Sequence, residues 1–219
     1  MTRLAVVTGA GRGLGAALAD HLTGQGWEVV ACARTPAPGR VVQDVRDPVS
    51  PALLAAVGDR PVDALINNAG VGAPARPLAE TDPRSLLDTV DVNVAGPLRL
   101  AQALLPGLLA APAPLIVNVS SRLGSLTAQA AGAFADRRTS YAYRISKAAQ
   151  NMLTIALATE LAGRVRCWAV HPGALTTTMA GPDATTPPSV AAARLAELLD
   201  SPDRTSPRYI SLDGPDLPW

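Results

Sequence analysis

Two side chains, Tyr143 and Lys147, have the types and the spacing needed for proton transfer. The sequence predicts a helix that starts near Ser140, so residues four apart lie on one face, one turn from each other. A free phenol has a pKa of about 10 and is a poor proton shuttle at neutral pH, whereas a neighbouring ammonium stabilises the phenolate. We therefore predict that Lys147 lowers the pKa of Tyr143 and that the pair performs acid–base chemistry. Taken alone, the spacing also fits a core tyrosine and a surface lysine.

A glycine-rich segment near the start of the chain lies between a predicted strand over residues 4–8 and a predicted helix over residues 16–22. Strand, glycine turn and helix form the phosphate-binding beginning of a dinucleotide fold, because glycine lets the backbone approach a pyrophosphate at the helix N-terminus. The pattern Thr8-Gly9-x-x-x-Gly13-x-Gly15 is a longer match than G-x-G-x-x-A, and a plain tight turn is the alternative. The predicted cofactor contacts here are Gly9, Gly11, Arg12, Gly13, Leu14 and Gly15.

The end of the second predicted strand, residues 28–33, bears on the choice of cofactor. An NAD-binding protein carries an acid there for the ribose, but this chain has Ala33 and Arg34. Arg34 and Arg12 can pair with a 2′-phosphate that an acid would repel. We therefore predict that NADP(H) is preferred and that NAD(H) is possible, unless both arginines are only solvated loop charges.

Strands and helices alternate along the rest of the chain. Further strands are predicted over residues 40–43, 62–66, 115–119, 164–170 and 209–212, and helices over 51–57, 85–93, 97–109 and 189–199. This alternation predicts an α/β fold, a Rossmann-type doubly wound parallel seven-stranded sheet in a single domain over residues 1–219. Residues 122–139 are interpreted as a loop at the site and residues 174–188 as a mobile flap. Asn93 lies among apolar residues, and we expect it to have specific bonding partners.

Composition argues against several classes of function. Lys plus Arg number 19 against 18 Asp plus Glu, so no overall field attracts nucleic acid or an anionic membrane, and the expected partner is a small molecule. Cys32 and Cys167 fall in apolar runs and are predicted to be free thiols. Two histidines are too few to suggest zinc, and no metal is predicted. The residues before the glycine loop are too few for a signal peptide or a membrane span, which predicts a cytoplasmic location.

Taken in order, the motifs resemble those of the classical short-chain dehydrogenase/reductases, and the match spans nearly the whole sequence. Four stretches resemble more narrowly the C-factor (C-signal) branch, close to sniffer-type carbonyl reductases: Ser121-Arg122-Leu123-Gly124-Ser125, Tyr141-Ala142-Tyr143-Arg144, His171-Pro172-Gly173, and Asp213-Gly214 with Leu217-Pro218-Trp219. The family motifs are Thr8-Gly9-x-x-x-Gly13-x-Gly15, Asn67-Asn68-Ala69-Gly70, Asn93, Ser121, Tyr143-x-x-x-Lys147 and Pro172-Gly173.

The resemblance implies roles for the matched residues. Tyr143 is implied as the general acid/base, and Lys147 as its activator and a ligand of the nicotinamide ribose. Ser121 is implied to hold the substrate carbonyl oxygen, and Asn93 to position a water for proton relay. Asp44 and Val45 would face adenine, Asn67 and Gly70 the adenine ribose side and Thr177 the carboxamide, with Asn68, Ala69, Pro172 and Gly173 as further cofactor contacts.

These features favour an NADP(H)-dependent oxidoreductase that interconverts a ketone or aldehyde and an alcohol. The alternative is a cofactor-binding regulatory or signalling protein with the same fold and little turnover, although the complete Asn-Ser-Tyr-Lys set argues against it. An epimerase or dehydratase is less favoured, because the chain lacks a sizeable C-terminal substrate domain. Surplus apolar residues on helix 143–161, together with helix 97–109, predict a homodimer or homotetramer.

Overall fold

The computed structural model describes residues 2–177 and 184–219. Within these residues, seven strands form one parallel sheet with the order β3-β2-β1-β4-β5-β6-β7, which confirms the predicted sheet. The chain order reverses at β1, and ligands of open α/β sheets bind beside such a point, outside the carboxyl ends of the strands. The strands are β1 Leu4–Val7, β2 Glu28–Ala33, β3 Val41–Val42, β4 Ala64–Asn67, β5 Leu115–Val119, β6 Arg166–His171 and β7 Arg208–Ser211.

Helices cover both faces of the sheet. Ala5 and Val7 belong to the core that contains α1 and α7, whereas Leu4 and Val6 belong to the core that contains α2, α4 and α6. Successive strand residues point to opposite faces, so a strand that is buried on both sides is apolar throughout. The helices are α1 Gly13–Gly24, α2 Pro51–Val57, α3 Arg84–Val90, α4 Gly96–Ala110, α5 Leu126–Ala130, α6 Tyr141–Glu160 and α7 Pro188–Leu199.

The two predicted helices around Asn93 form one continuous helical region. α3 runs into α4 through a π-helical segment, Asp91–Ala95, which contains Asn93. Pro97 has no amide hydrogen and cannot make the α-helical bond to the carbonyl of Asn93, so the regular ladder is interrupted at this point. Single π turns inside helices are frequent at functional sites.

The segment predicted as a loop over residues 122–139 contains two short helical elements. A 3₁₀ turn, Arg122–Gly124, follows Ser121, and α5 follows Ser125. Ser121 Oγ accepts from the amide of Leu123, and Ser125 Oγ accepts from the amide of Ala128, so each element is started by a serine cap. The loop prediction was therefore wrong for these residues.

The predicted flap lies partly outside the described residues. Residues 174–177 and 184–188 are described, and Leu175 pairs with Thr186 through an isolated parallel bridge. Residues 178–183 lie outside the description. No helix of the described residues is both long and apolar enough to cross a membrane.

Candidate active site

A cavity of about 1940 Å³ runs along the carboxyl ends of the strands. Its wall brings together residues from the ends of β1, β2, β4, β5 and β6 and from the start of α6, as the strand-end positions predicted. Gly15, Asn67 and Asn93 are the predicted site residues that do not line it. The predicted residues in the wall are Gly9, Gly11, Arg12, Gly13, Leu14, Arg34, Asp44, Val45, Asn68, Ala69, Gly70, Ser121, Tyr143, Lys147, Pro172, Gly173 and Thr177.

The glycine loop passes closely over the end of β4. Gly9 has φ +66, in the left-handed region that favours glycine. A Cβ on Gly15 would lie 2.4 Å from Nδ2 of Asn68 and 2.5 Å from the carbonyl oxygen of Gly9. Gly15 therefore permits the close approach of the glycine loop to the end of β4, and its predicted contact with the cofactor stays a prediction.

The N-terminus of α1 is open toward a ligand. The helix begins at Gly13, and Arg12, in the N-cap position, makes no capping bond with its side chain. The first-turn amides of α1 therefore have no side-chain cap, and the positive end of the helix dipole lies at the cavity wall. This arrangement fits a pyrophosphate, as the sequence predicted.

Thr8 holds the glycine loop against the end of β4. Its Oγ1 accepts from the amides of Asn68 and Ala69, each at 3.0 Å, and Asn68 Nδ2 donates to the carbonyl of Thr8 at 2.9 Å. The side chain of Asn67 points away from that of Asn68, because successive side chains alternate in direction along an extended chain. It is buried, and its Nδ2 donates to Oδ1 of Asn118 at 2.9 Å, so its side chain supports the sheet and does not reach an adenine ribose.

Charged groups surround the end of the cavity nearest β2. Arg12 and Arg34 are exposed in its wall, where a 2′-phosphate was predicted. Asp44 lies in the same wall and pairs with Arg46, with 2.7 Å between Oδ2 and Nη2. The hydrogen bond from Arg46 lowers the pKa of Asp44, and the charge of Arg34 adds to this effect. Positive charge therefore exceeds negative charge at this end of the wall.

Ser121 and Tyr143 lie next to each other on the cavity wall, with the Ser121 hydroxyl near the phenol. Ser121 is buried and Tyr143 is partly buried, and burial raises the pKa of Tyr143 while the Ser121 hydroxyl opposes that rise. The ammonium of Lys147 lies 5.8 Å from the centroid of the phenol ring. The predicted lowering of the phenol pKa by Lys147 is therefore wrong, because desolvation dominates at this position.

Lys147 is buried at the end of β5. Its Nζ donates to the carbonyl of Val119 at 2.8 Å and to Oε1 of Gln150 at 2.9 Å. Burial lowers the pKa of Lys147 to about 7. A Cβ on Gly70 would lie 3.7 Å from Nζ, an ordinary contact distance, so Gly70 is a close neighbour of the amine.

Asn93 has the specific partners that its sequence context predicted. Its Oδ1 accepts from the amide of Val71, and its Nδ2 donates to the carbonyl of Val71 and to Oγ of Ser146, each at 2.9 Å. Ser146 Oγ in turn donates to the carbonyl of Tyr143. The side chain of Asn93 thus joins the loop after β4 to α6, and its predicted role in positioning a water stays a prediction.

Sequence reasoning missed two residues at the site, Gln150 and Tyr209. Gln150 bonds to Lys147, and its only sequence signal is an amide three residues after that lysine on a helix face. Tyr209, on β7, donates its hydroxyl hydrogen to the carbonyl of Ser121, and its ring stacks on Trp219 with 5.1 Å between centroids. Nothing local to Tyr209 in the sequence indicates this contact, because it joins residues 88 positions apart.

Comparisons with known proteins agree with this geometry. A model of the short chain dehydrogenase family matches residues 3–187. The C-signal protein of Myxococcus xanthus is 39% identical over 163 residues, which cover 73% of this chain and 93% of that protein. The predicted resemblance to this branch is confirmed.

Two solved structures share the whole architecture. The NADPH-bound carbonyl reductase from chicken fatty liver superposes with a TM-score of 0.89 at 27% identity, over 100% of this chain and 99% of that chain. The carbonyl reductase Sniffer of D. melanogaster superposes with a TM-score of 0.86 at 25% identity, over 100% of both chains.

Proposed function

The chain belongs to the short-chain dehydrogenase family of NAD(P)-dependent oxidoreductases, and we propose that it interconverts a ketone or aldehyde and an alcohol with NADP(H). The observation that carries the proposal is that Ser121, Tyr143 and Lys147 lie together in the cavity wall, with the amine of Lys147 5.8 Å from the centroid of the phenol ring. A serine hydroxyl and a phenol that lie side by side can both polarise a carbonyl oxygen, and the phenol can then protonate it.

The described residues fit a dinucleotide phosphate. The glycine loop and the uncapped start of α1 offer backbone amides to a pyrophosphate. Arg12 and Arg34 offer charge to a 2′-phosphate, and the chicken enzyme of the same fold is described as NADPH bound. Thr177, in the cavity wall beyond β6, is proposed to contact the carboxamide.

NADPH, when bound, supplies the hydride that adds to the carbonyl carbon. Ser121 and Tyr143 donate hydrogen bonds to the carbonyl oxygen while it gains negative charge, and Tyr143 then transfers its proton to that oxygen. Burial raises the pKa of the phenol, so Tyr143 is protonated at neutral pH and can act as the proton donor of the reduction. A charged Lys147 stabilises the phenolate that remains.

The test is the consumption of NADPH by the purified protein with a panel of ketones and aldehydes. Turnover that depends on the added carbonyl supports the proposal. Tight NADPH binding without turnover across the panel would favour the regulatory alternative, because a fold can be retained without its chemistry.

We also propose that the protein forms a homo-oligomer through α4 and α6. These helices expose large apolar side chains, including Ile145 at 46%, Met152 at 58% and Leu109 at 40%. Exposed large apolar side chains on these helices favour burial against another surface. A second copy of the chain is the simplest partner with the matching surface.

A further inference from the structure

Lys147 is the only lysine in the sequence, and its surroundings are unusual for a buried cation. Its two hydrogen-bond acceptors, the carbonyl of Val119 and Oε1 of Gln150, are both neutral. The pKa of Lys147 is lowered by burial, with no opposing carboxylate contributing among the described residues. A buried ammonium without a carboxylate depends on dipoles to remain charged.

Gln150 is a costly residue at its position. It is fully buried on α6, and its Nε2 has no hydrogen-bond partner among the described residues. An unpaired buried donor is unfavourable, and an apolar side chain of similar size would avoid that cost. The polar atom of the side chain that does have a partner is Oε1, and the partner is Lys147.

The turn of α6 that carries Gln150 is fixed against β5. The backbone carbonyl of Gln150 accepts from Oγ1 of Thr154, and Oγ1 of Thr154 accepts from Nδ2 of Asn118, each at 2.9 Å. β5 also supplies the carbonyl of Val119. The amine of Lys147 is therefore held between one helix and one strand end, by one acceptor from each.

The titratable group that faces Lys147 from its own helix is Tyr143, with the ammonium 5.8 Å from the ring centroid. The neighbours from the end of β5 and from the segment after β4, Val119 and Gly70, are neutral. Two further titratable groups belong to this region: His171, at the end of β6, lies in the cavity wall, and Tyr209 interacts with Tyr143. Gln150 is thus the side chain whose dipole acts on the amine directly.

We propose that Gln150 is a positioning residue of the active site, whose side-chain oxygen holds the Lys147 amine at the cavity wall and favours its charged form. The inference rests on the proposed function, in which a charged Lys147 stabilises the phenolate of Tyr143. Gln150 touches neither of the reacting groups and acts through Lys147.

Because the chain has one lysine, protein labelled with carbon-13 at lysine Cε gives a single NMR resonance that reports the protonation of this amine. We expect Gln150→Leu to lower the midpoint of its titration by about 1 pH unit, because the ammonium loses an acceptor. Gln150→Glu should raise the midpoint, because a carboxylate stabilises the charge. Gln102→Leu, at an exposed position of α4, is the matched control and should leave the midpoint unchanged.

Opposite shifts in the leucine and glutamate variants support the proposal. Unchanged midpoints in both variants, or shifts in the same direction, overturn it, because Gln150 would then only fill space. If the leucine or glutamate variant does not fold by circular dichroism, Gln150→Met decides alone: a lowered midpoint supports the proposal, and an unchanged midpoint or a failure to fold overturns it.

The NMR measurement needs no substrate, so it separates this inference from the proposed function. A wild-type protein that reduces no carbonyl would refute the proposed function and leave the titration result standing. Turnover in the wild type together with unchanged midpoints would refute only the role of Gln150.

Discussion

Burial acts on Tyr143 and Lys147 in opposite directions, because it disfavours the charged form of each group. The phenol has a raised pKa and stays protonated, whereas the amine has a pKa of about 7 and changes charge near neutrality. The charge states of the proposed proton donor and of its neighbouring amine are therefore set by how deeply this helix face is buried, and the Ser121 hydroxyl opposes the rise in the phenol pKa.

Tyr143→Phe should abolish carbonyl reduction while the protein keeps its fold and its affinity for NADPH. The substitution removes one oxygen and little packing, and loss of a general acid costs about 100-fold or more in rate. Tyr141→Phe is the control, because Tyr141 lies two residues away with 48% of its surface exposed. Reduction at a near wild-type rate by the Tyr143 variant would show that another group donates the proton.

Arg34→Asp should reduce or reverse the preference for NADPH over NADH. The new carboxylate would repel a 2′-phosphate, and we expect the ratio of the two dissociation constants to change by about tenfold or more, which corresponds to about 1.4 kcal/mol. Arg84→Asp makes the same charge change at an exposed position outside the cavity wall. Equal dissociation constants for the two cofactors in the wild type would contradict the predicted preference.

At the scale of residues, spacing located Tyr143 and Lys147, and the motifs located the strand-end groups. Spacing could not show how deeply α6 is buried, so the direction of the phenol pKa was predicted wrongly. The partners of Asn67 and Asn93 also depend on which side of the backbone each amide faces in the folded sheet. Gln150 was missed because its partner is chosen by tertiary packing.

At the scale of elements, the glycine loop and α1 form a contact that leaves no room for side chains. The loop crosses the end of β4 so closely that Asn68 bonds to the carbonyls of Thr8 and Gly9. A change at the start of α1 should therefore affect both the loop geometry and the cavity wall, whereas a change at the end of the same helix should not.

Gly15→Ala should destabilise the protein by about 1–3 kcal/mol, since its Cβ would meet Asn68 and Gly9 at less than a normal contact distance. It should also weaken NADPH binding. Gly24→Ala is the control at the other end of α1, where an added Cβ would meet nothing within 4 Å. This substitution should stabilise the helix by up to about 1 kcal/mol. Urea unfolding and NADPH titration of both variants measure this difference, and equal effects would contradict the close approach.

The regular elements were predictable because their apolar runs are long enough to show a period. The short elements were not: α5 and the 3₁₀ turn before it depend on the caps Ser121 and Ser125, which local periodicity does not reveal. The two-residue β3 was predicted at twice its length, since pairing with β2 decides where it ends. Elements that depend on a cap or on a neighbouring strand therefore cannot be predicted from hydrophobic periodicity alone.

At the scale of the whole molecule, the buried amine makes stability depend on pH. The pKa of Lys147 is about 7 in the folded protein against 10.5 for a free lysine, so the unfolded chain binds more protons between these values. Stability should therefore rise with pH above 7. The thiols of Cys32 and Cys167 oppose this at higher pH, because their pKa is raised from 9.0 to about 12 and only the unfolded chain ionises early.

We expect the free energy of unfolding to increase from about pH 7 to about pH 8.5 in the wild type, below the range where the thiols ionise. Lys147→Met should remove this increase and should be more stable than the wild type at pH 7, because no ammonium is then buried. Urea unfolding of both proteins at the two pH values provides the measurement. If the free energy of unfolding changed with pH equally in the wild type and in the methionine variant, the lowered pKa of Lys147 in the folded protein would be contradicted.

The proposed oligomer predicts a larger particle than the 219-residue chain in light scattering at micromolar concentration. Met152→Glu places a charge on the exposed face of α6 and should shift the population toward monomer. Leu78→Glu is the control, since Leu78 is 76% exposed on a 3₁₀ turn, Leu78–Glu80, outside α4 and α6. A wild-type protein that is monomeric would rule out the proposed assembly.

The bond from Tyr209 to Ser121 also fixes when the active site can be completed during synthesis. A ribosome releases the chain from its amino end, at about 5–20 residues per second, and early parts begin to fold first. The glycine loop and the first four strands emerge well before β7 and Trp219, which lie at the far edge of the sheet. The strands next to the glycine loop are therefore synthesised first, and the Ser121 loop can reach its final support only when residues 208–219 have left the ribosome.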